Sequence, residues 1–535
     1  MKKNSFMQGA IIATIAIIFS KVIGVLYVIP FYSIIDDKGG ALYGYAYSIY
    51  NIFLIISSAG IPLAISKITS EYETKKEYKN KMIMYDLSKK IIYIFSIISF
   101  LICFVFAKPI AHLILGSLTE GNTIEDVAFV IRCISFALLI VPILSSSRGY
   151  LQGHKYITPS SLSQVIEQIV RILVILIGSY ICVKVLHISV TYAVGISVFS
   201  ACIGAIIAYI YLHYKMKQIF PKEDMQKVIA TEEEKKAIIS KLIGYCIPFI
   251  VINIANSIYN TTDMILINRG LKLLNFTDLD IETISSVYTT WGSKIISIVT
   301  AFATGLVISL IPSIVEAYTL KNQKNVDMYF NKMLLVLLHI ILPLTIFMSI
   351  FAQNIWSVFY RQSVYGPIIL KYTILVAFFD SAYIMICSAL QGLYKTKLIY
   401  ISVTTGLFIN SFLDIPFMLL FNKLGLYPFY GATTATVIGY IISLSIPLLY
   451  LSKKEKFNYK ETFKTLPRLI IAIIFLCIIC LLYQHFISFK SSQIYNIIYL
   501  VIIGIICLII YYGINKKILN HILSDKLEKI HLKKS

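Results

Sequence analysis

Apolar runs of about twenty residues recur along this chain from end to end, separated by short charged segments. That is the length that crosses the hydrocarbon core of a bilayer, and 58% of the 535 residues are hydrophobic against 14% charged. Lipid offers no partner to a backbone N–H or C=O, so runs of this length must be helices. The expected fold is an all-α polytopic membrane protein. Spans fall near 8–30, 44–66, 90–115, 127–147, 161–186, 190–213, 243–266, 285–312, 333–356, 368–389, 398–421, 430–451, 466–486 and 493–514.

The spans repeat. Phe106-Ala107-Lys108-Pro109-Ile110 returns as Phe351-Ala352-Gln353-Asn354-Ile355, 245 positions later. Residues 66–82 align with 312–328 through Ile68/Ile314, Tyr72/Tyr318 and Met82/Met328. Leu151-Gln152-Gly153 returns as Leu390-Gln391-Gly392 at an offset of 239, which places a longer loop in the first copy around residues 117–126. Repeated membrane halves with a substrate site between them are a construction of secondary transporters.

The loops set the orientation. One alternating set carries Lys67, Lys75, Lys76, Lys79, Lys81, Arg148, Lys155, Lys215, Lys217, Lys321, Lys324, Lys395, Lys453 and Lys456. The other carries Asp36, Asp37, Glu120, Glu125, Asp126, Asp278, Asp280 and Glu282. The positive-inside rule puts the first set and both termini in the cytoplasm. The net charge of +21 therefore reports topology rather than nucleic-acid binding. Each six-span repeat starts inside, so the halves are parallel repeats. The expected divisions are a first lobe at 1–214, a linker at 215–242, a second lobe at 243–452, helices 13 and 14 at 453–514, and a basic tail at 515–535 lying on the cytoplasmic leaflet. The apolar start reads as an uncleaved first span. Nine cysteines lie in or beside apolar segments, and Cys477-x-x-Cys480 within a span is a packing feature.

Charges inside spans are costly and face a cavity or a partner. Lys21 lies mid-span 1 and Lys294 in span 8. Span 5 places Gln164, Glu167, Gln168 and Arg171 on one helical stripe, and span 7 places Asn253, Asn256, Ser257, Asn260 and Asp263 likewise. Asp380 lies in span 10; Asn410 and Asp414 lie in span 11. Glu167 and Arg171 can pair one turn apart, and asparagines can serve as interhelical glue. Facing a common axis, the stripes would line a hydrated cavity, cationic at Lys21, Lys294 and Arg171 and suited to an anion. No Walker A motif or metal-ligand spacing is present, which argues against an ATP-driven pump or an enzyme; no cofactor is expected beyond coupling to a monovalent ion or the membrane potential.

Arg148-Gly149-Tyr150-Leu151-Gln152-Gly153-His154, then Pro159 and the stretch 163–172 (SQVIEQIVRI), resembles the lipid II flippase family (MurJ type) of the MOP exporter superfamily. Gly39-Gly40-Ala41-Leu42-Tyr43 and Gly60-Ile61-Pro62-Leu63-Ala64 are similar to its Gram-positive branch, and the stretch is shared with stage V sporulation protein B relatives. The resemblance implies two six-helix lobes around a cavity, with two further helices grooved for a polyprenyl tail. It implies basic residues in spans 1 and 8, matched by Lys21 and Lys294. Some members carry further arginines in spans 1 and 2, where this chain has Tyr27 and Tyr50-Asn51. The expected function is transfer of undecaprenyl-pyrophosphate-linked lipid II to the outer leaflet, in contact with membrane lipids and cell-wall synthesis machinery. Alternatives are another lipid-linked oligosaccharide or a sporulation paralogue, a drug exporter coupled through Asp263, Asp380 or Asp414, and a non-transporting scaffold.

Overall fold

The computed structural model describes residues 12, 16, 19–20, 23–24, 26–58, 61–116, 121–220, 231–360, 363–393, 395–487, 489 and 492–523, and among them there is no strand. By packing the chain divides into two compact units, 1–291 and 292–535. Unit 1 holds α1 (Val28–Ser58), α2 (Ile61–Thr74), α3 (Tyr78–Val105), α4 (Ala107–Leu115), α5 (Ile124–Ser135), α6 (Ala137–Gly153), α7 (Ile157–Tyr180), α8 (Val190–Ile219), α9 (Glu232–Leu273) and α10 (Asp278–Ser286). Unit 2 holds α11 (Gly292–Thr319), α12 (Gln323–Val336), α13 (Leu342–Ile350), α14 (Ala352–Phe359), α15 (Gly366–Gly392), α16 (Thr396–Lys423), α17 (Pro428–Lys454), α18 (Lys460–Phe486) and α19 (Gln493–Leu523).

Ten helical stretches among the described residues are long and apolar enough to cross a membrane. Of the other four expected spans, the first falls largely outside the described residues. The second, seventh and eighth fall on α1–α2, α9 and α11. The internal repeat is written in the backbone as well as in the sequence. Phe106 (φ −88, ψ 15) breaks the helix between α3 and α4, and Phe351 (φ −96, ψ 24) breaks it between α13 and α14. Lys76 and Lys321 both take a left-handed conformation, φ 59 and 54, which ends a helix by turning the chain away from it.

In unit 1 the glycines at 149 and 153 bring α6 onto α2. A Cβ at Gly149 would stand 2.8 Å from Pro62 Cα, and one at Gly153 would stand 2.7 Å from the Ser66 carbonyl oxygen. Helices in lipid gain little from burying apolar surface against each other, so close backbone approach through small residues drives their association. At the lysine-rich end, α9 begins on Thr231, whose side chain caps Glu234 N–H while Glu234 caps Thr231 in return. The linker helix and span 7 are thus one helix of 42 residues. Its first turns lay Ile238, Leu242 and Cys246 onto a buried cluster of Ile65, Ile68, Ile83, Met84 and Tyr150. Lys79–Glu234 and Lys241–Glu71, each 2.8 Å, flank this contact. Exposed ion pairs contribute about 0–1 kcal/mol against about 1.5–3 kcal/mol per buried aliphatic side chain, so the apolar contact holds the helix and the ion pairs set its register.

In unit 2, Gly406 brings α16 against α17, where a Cβ would lie 2.9 Å from the Gly439 carbonyl oxygen. The last two helices are pinned by polar contacts, of which Asn354 with Asn496 is buried. Asn354 Nδ2 donates to Asn496 Oδ1 at 2.8 Å, Gln484 Nε2 to the Ile350 carbonyl at 2.8 Å, and Arg468 Nε to the Ile514 carbonyl at 2.7 Å. Cys480 lies across from Cys507, sulfur to sulfur 3.6 Å, rather than using Cys477. Residues 515–523, grouped with the tail by sequence, continue α19 as helix; Ile518 and Leu519 pack on Leu335 and Val336. Residues 524–535 lie outside the described residues.

Gly149→Ala is expected to lower the melting temperature in detergent, since overpacking at backbone contact costs about 1–3 kcal/mol. Gly244→Ala is the control: nothing lies within 4 Å of its added Cβ, and alanine is the better helix former. Equal melting temperatures for the two variants would show that the α6–α2 contact is not close-packed.

Candidate functional site

The polar stripe of span 5 lies on α7, and the structure brings it against two other helices of unit 1. Arg148, the one arginine of α6, reaches across to α7. Its Nε donates to Ser163 Oγ at 2.8 Å and its Nη2 to Glu167 Oε2 at 2.8 Å. The other carboxylate oxygen of Glu167 is 3.8 Å from Arg171 Nη2. The pairing expected between Glu167 and Arg171 is therefore shared, and Arg148 takes the closer contact. Both stripe residues face α8 where it has glycine: a Cβ at Gly204 would stand 2.8 Å from the Glu167 carbonyl oxygen and 3.5 Å from Arg171 Cβ. Gln168 faces span 1, its Nε2 3.3 Å from a Cβ placed on Gly24. Gln164 is exposed.

A row of phenols, Tyr27 just before α1 and Tyr43, Tyr47 and Tyr50 on it, leads to Arg171. Tyr27 and Tyr43 hydroxyls are 3.4 Å apart. Tyr43 and Tyr47 rings lie 4.5 Å apart, and Tyr47 and Tyr50 rings meet edge to face at 5.7 Å. The Tyr43, Tyr47 and Tyr50 phenols lie within electrostatic reach of the Arg171 guanidinium. Sequence reasoning placed none of Arg148, Tyr47 and Tyr50 in the site. For Arg148 the available signal was its position nineteen residues before Glu167 in the same motif stretch. For the tyrosines it was their shared helical face at i, i+4 and i+7 from Tyr43.

The other candidates are placed as follows. Lys21 lies outside the described residues. Lys294 sits half-buried in the first turn of α11, where Ser297 Oγ donates to its carbonyl at 2.6 Å. In α9 the side chains of Asn253 and Asn256 are outside the description; Asn260 is exposed and Asp263 half-buried. Asp380 on α15 accepts from the Tyr440 hydroxyl of α17 at 3.3 Å. Asn410 and Asp414 are fully buried on the face of α16 that carries Gly406 toward α17. Among the described residues no group of three or more His, Cys, Asp and Glu side chains could hold a metal ion.

A second cluster closes the acidic end of unit 1. Glu282 on α10 is 1% exposed, accepts from the Asn122 backbone N–H, and lies against Gly121, whose φ of 92 leaves no room for a side chain. Asp37 accepts from Ser286 Oγ at 3.1 Å. Lys38, Asp36, Asp126 and Tyr32 are the charged and titratable neighbours. Burial pushes the Glu282 carboxyl up to about 7, against the lowering by the Asn122 amide. Burial, aided by the Asp36 charge and opposed by Ser286, pushes Asp37 up to about 6. Both carboxyls thus favour the protonated form in this packing.

A polysaccharide biosynthesis protein family matches residues 6–273, and a MatE family matches residues 285–415. The chain is 29% identical over 540 residues to the lipid II flippase MurJ of Bacillus subtilis (strain 168), covering 98% of each. It is 22% identical over 513 residues to the stage V sporulation protein B of the same organism, covering 93% of each. Among solved structures it is similar to a lipid II flippase MurJ in an inward closed conformation (TM-score 0.66, 16% identity, 95% of this chain and 100% of that chain). It is also similar to an inward-facing multidrug resistance MATE family transporter of the MOP superfamily (TM-score 0.59, 13% identity, 80% and 97%). At these identities the structural likenesses establish the fold.

The acidic cluster has a signed pH dependence. A carboxyl raised in the folded state contributes stability that is present below its unfolded value, 4.5 for Glu282, and lost as pH rises through about 7. Hydrogen exchange in residues 278–286 is expected to accelerate from pH 5 to 8 beyond the intrinsic rate. Glu282→Gln, which keeps the shape and cannot ionise, is expected to hold the slow corrected rate throughout. The same acceleration in Glu282→Gln would remove Glu282 as its source.

Proposed function

Because the chain belongs to the polysaccharide biosynthesis protein family and has the fold of the MOP superfamily transporters, we propose that it is a flippase. Its cargo is the undecaprenyl-pyrophosphate-linked peptidoglycan precursor lipid II, moved from the cytoplasmic to the outer leaflet by alternating access. One observation carries this reading: the match to a lipid II flippase runs over 98% of both chains, through the last two helices, whereas the MATE-type structure covers 80% of this chain.

The chemistry of the candidate residues supports an anionic cargo. Lys21 and Lys294 supply cations for the pyrophosphate, one from each repeat, and Arg171 adds a third. As ammonium groups, the lysines act as point charges without the fixed fork of arginine. Gln164, Gln168, Asn253, Asn256 and Asn260 offer amides to the sugar and peptide. Asp263, Asp380 and Asp414 are candidates for coupling to a monovalent cation. Both termini and the lysine-rich loops face the cytoplasm. Outward passage of two negative charges through about 100 mV, inside negative, releases on the order of 4–5 kcal/mol, so a nucleotide is not needed as a driving force. Membrane lipids and the cell-wall synthesis machinery are its partners.

The test is expression in cells depleted of their own lipid II flippase, with lipid II accessibility on the outer leaflet as the readout. The wild-type chain is expected to restore accessibility. Lys294→Ala is expected to reduce it roughly tenfold or more at equal membrane abundance, and Lys294→Arg to retain part of it, as for loss of a charge-assisted contact. Growth without restored lipid II accessibility would assign the chain another cargo.

A further inference from the structure

Two arginines and one glutamate meet inside unit 1, which leaves one positive charge over. Arg148 and Glu167 satisfy each other at 2.8 Å, and both are nearly enclosed, with 11% and 14% of their side chains exposed. Arg171 stands farther from the carboxylate, 3.8 Å, and is more open at 21%. Its Nε is nevertheless buried without a hydrogen-bond partner, and so are the hydroxyl oxygens of Tyr47 and Tyr50. Tyr50 is 2% exposed. Buried donors without acceptors are rare in native proteins and each wants an explanation. Here one is the Nε of the Arg171 guanidinium itself and the other two are phenols within its electrostatic reach. The phenols and the guanidinium Nε are all able to donate, and the one nearby carboxylate is already engaged by Arg148. What this arrangement lacks is an anion with several acceptor oxygens.

Resting on the flippase reading above, we propose that Arg171, Tyr47 and Tyr50 form a pyrophosphate-binding subsite within unit 1, and that Arg148 is the positioning residue that makes it work. Arg148 holds Glu167 so that the carboxylate does not close onto Arg171. The pair is a lock on the site's charge: without Arg148, Glu167 turns to Arg171, and the net charge there falls to zero. Charge-assisted bonds from guanidinium and phenol to a phosphate oxygen then replace the missing acceptors.

The experiment is binding to the purified full chain in lipid nanodiscs, by microscale thermophoresis, with three probes: geranylgeranyl pyrophosphate, geranylgeraniol and inorganic pyrophosphate. The wild type is expected to bind the prenyl pyrophosphate at least ~10-fold more tightly than the alcohol. Arg171→Gln is expected to lose about tenfold, and Tyr47→Phe and Tyr50→Phe about two- to fivefold each, the size of single lost hydrogen bonds. Arg148→Gln is expected to lose as much as Arg171→Gln. Arg148→Gln/Glu167→Gln is expected to regain most of the affinity, and Glu167→Gln alone to bind at least as well as wild type. A purely structural role for Arg148 predicts no such rescue. Wild-type-like binding by Arg171→Gln overturns the subsite; a double variant no better than Arg148→Gln overturns the positioning role. Inorganic pyrophosphate following the same variant order supports an anion site that also accepts the free ion, and its failure to bind while the prenyl form does supports a site for the lipid-linked ion. Lipid II accessibility in depleted cells is read separately. Binding with the expected order but no flipping overturns the flippase reading and leaves the subsite, whereas flipping with Arg171-independent binding does the reverse.

Discussion

A charged side chain taken out of water must find a counter-charge, and in this protein the buried Arg148 finds Glu167. That pair is the hinge on which the motif residues of unit 1 turn. It ties α6 to α7, and Ser163 holds the arginine in its rotamer. Removing one partner would leave the other charged and buried, which is far worse than never having had the pair. The glycines around it follow from the same need. Gly149 and Gly153 let α6 lie on α2, and Gly204 lets α8 lie on the Glu167–Arg171 face of α7. Only with three helices at backbone distance can side chains of these lengths meet.

Different forces hold different depths. At the lysine-rich end, α9 is anchored by aliphatic burial into a cluster with α2, α3 and α6, because there water makes apolar burial favourable. Within the spans that drive is absent, and the contacts are small residues and polar pairs: Ser402 with Ser443, Asn354 with Asn496, Gln484 with a carbonyl. At the acidic end, a third device appears. Burial raises both the Glu282 and the Asp37 carboxyl, so packing of α10 against the turns at residues 37 and 122 is favoured by their protonated forms.

The repeat architecture has a chemical consequence. Each repeat ends its third span at the same broken turn, Phe106 or Phe351, and its second at the same left-handed lysine, Lys76 or Lys321. The copies differ where chemistry is done. Unit 1 carries the arginine–glutamate set and the phenols, while unit 2 carries Asp380 bonded to Tyr440 and the buried Asn410 and Asp414.

The apolar spans, the internal repeat and the single polar face of span 5 were legible in the sequence, because lipid imposes a length, a composition and a helical period that no tertiary contact can override. The stripe of Gln164, Glu167, Gln168 and Arg171 followed from period alone. Its wiring did not. Glu167 has a basic residue one turn away on its own helix and another nineteen positions back on α6, and periodicity favours the near one. The three-dimensional approach of α6 to α7 gives the closer contact to the far one. Tyr47 and Tyr50 share a helical face with Tyr43, but that their unpartnered hydroxyls lie near a guanidinium depends on how α1 meets α7. The raised carboxyls of Asp37 and Glu282 were invisible for the same reason: a loop acid reads as solvated until packing removes its water. Sequence determined which segments enter the membrane and which faces are polar, since both depend on local composition. Tertiary structure decided which charges are cancelled and which is left over, since that depends on distances between helices.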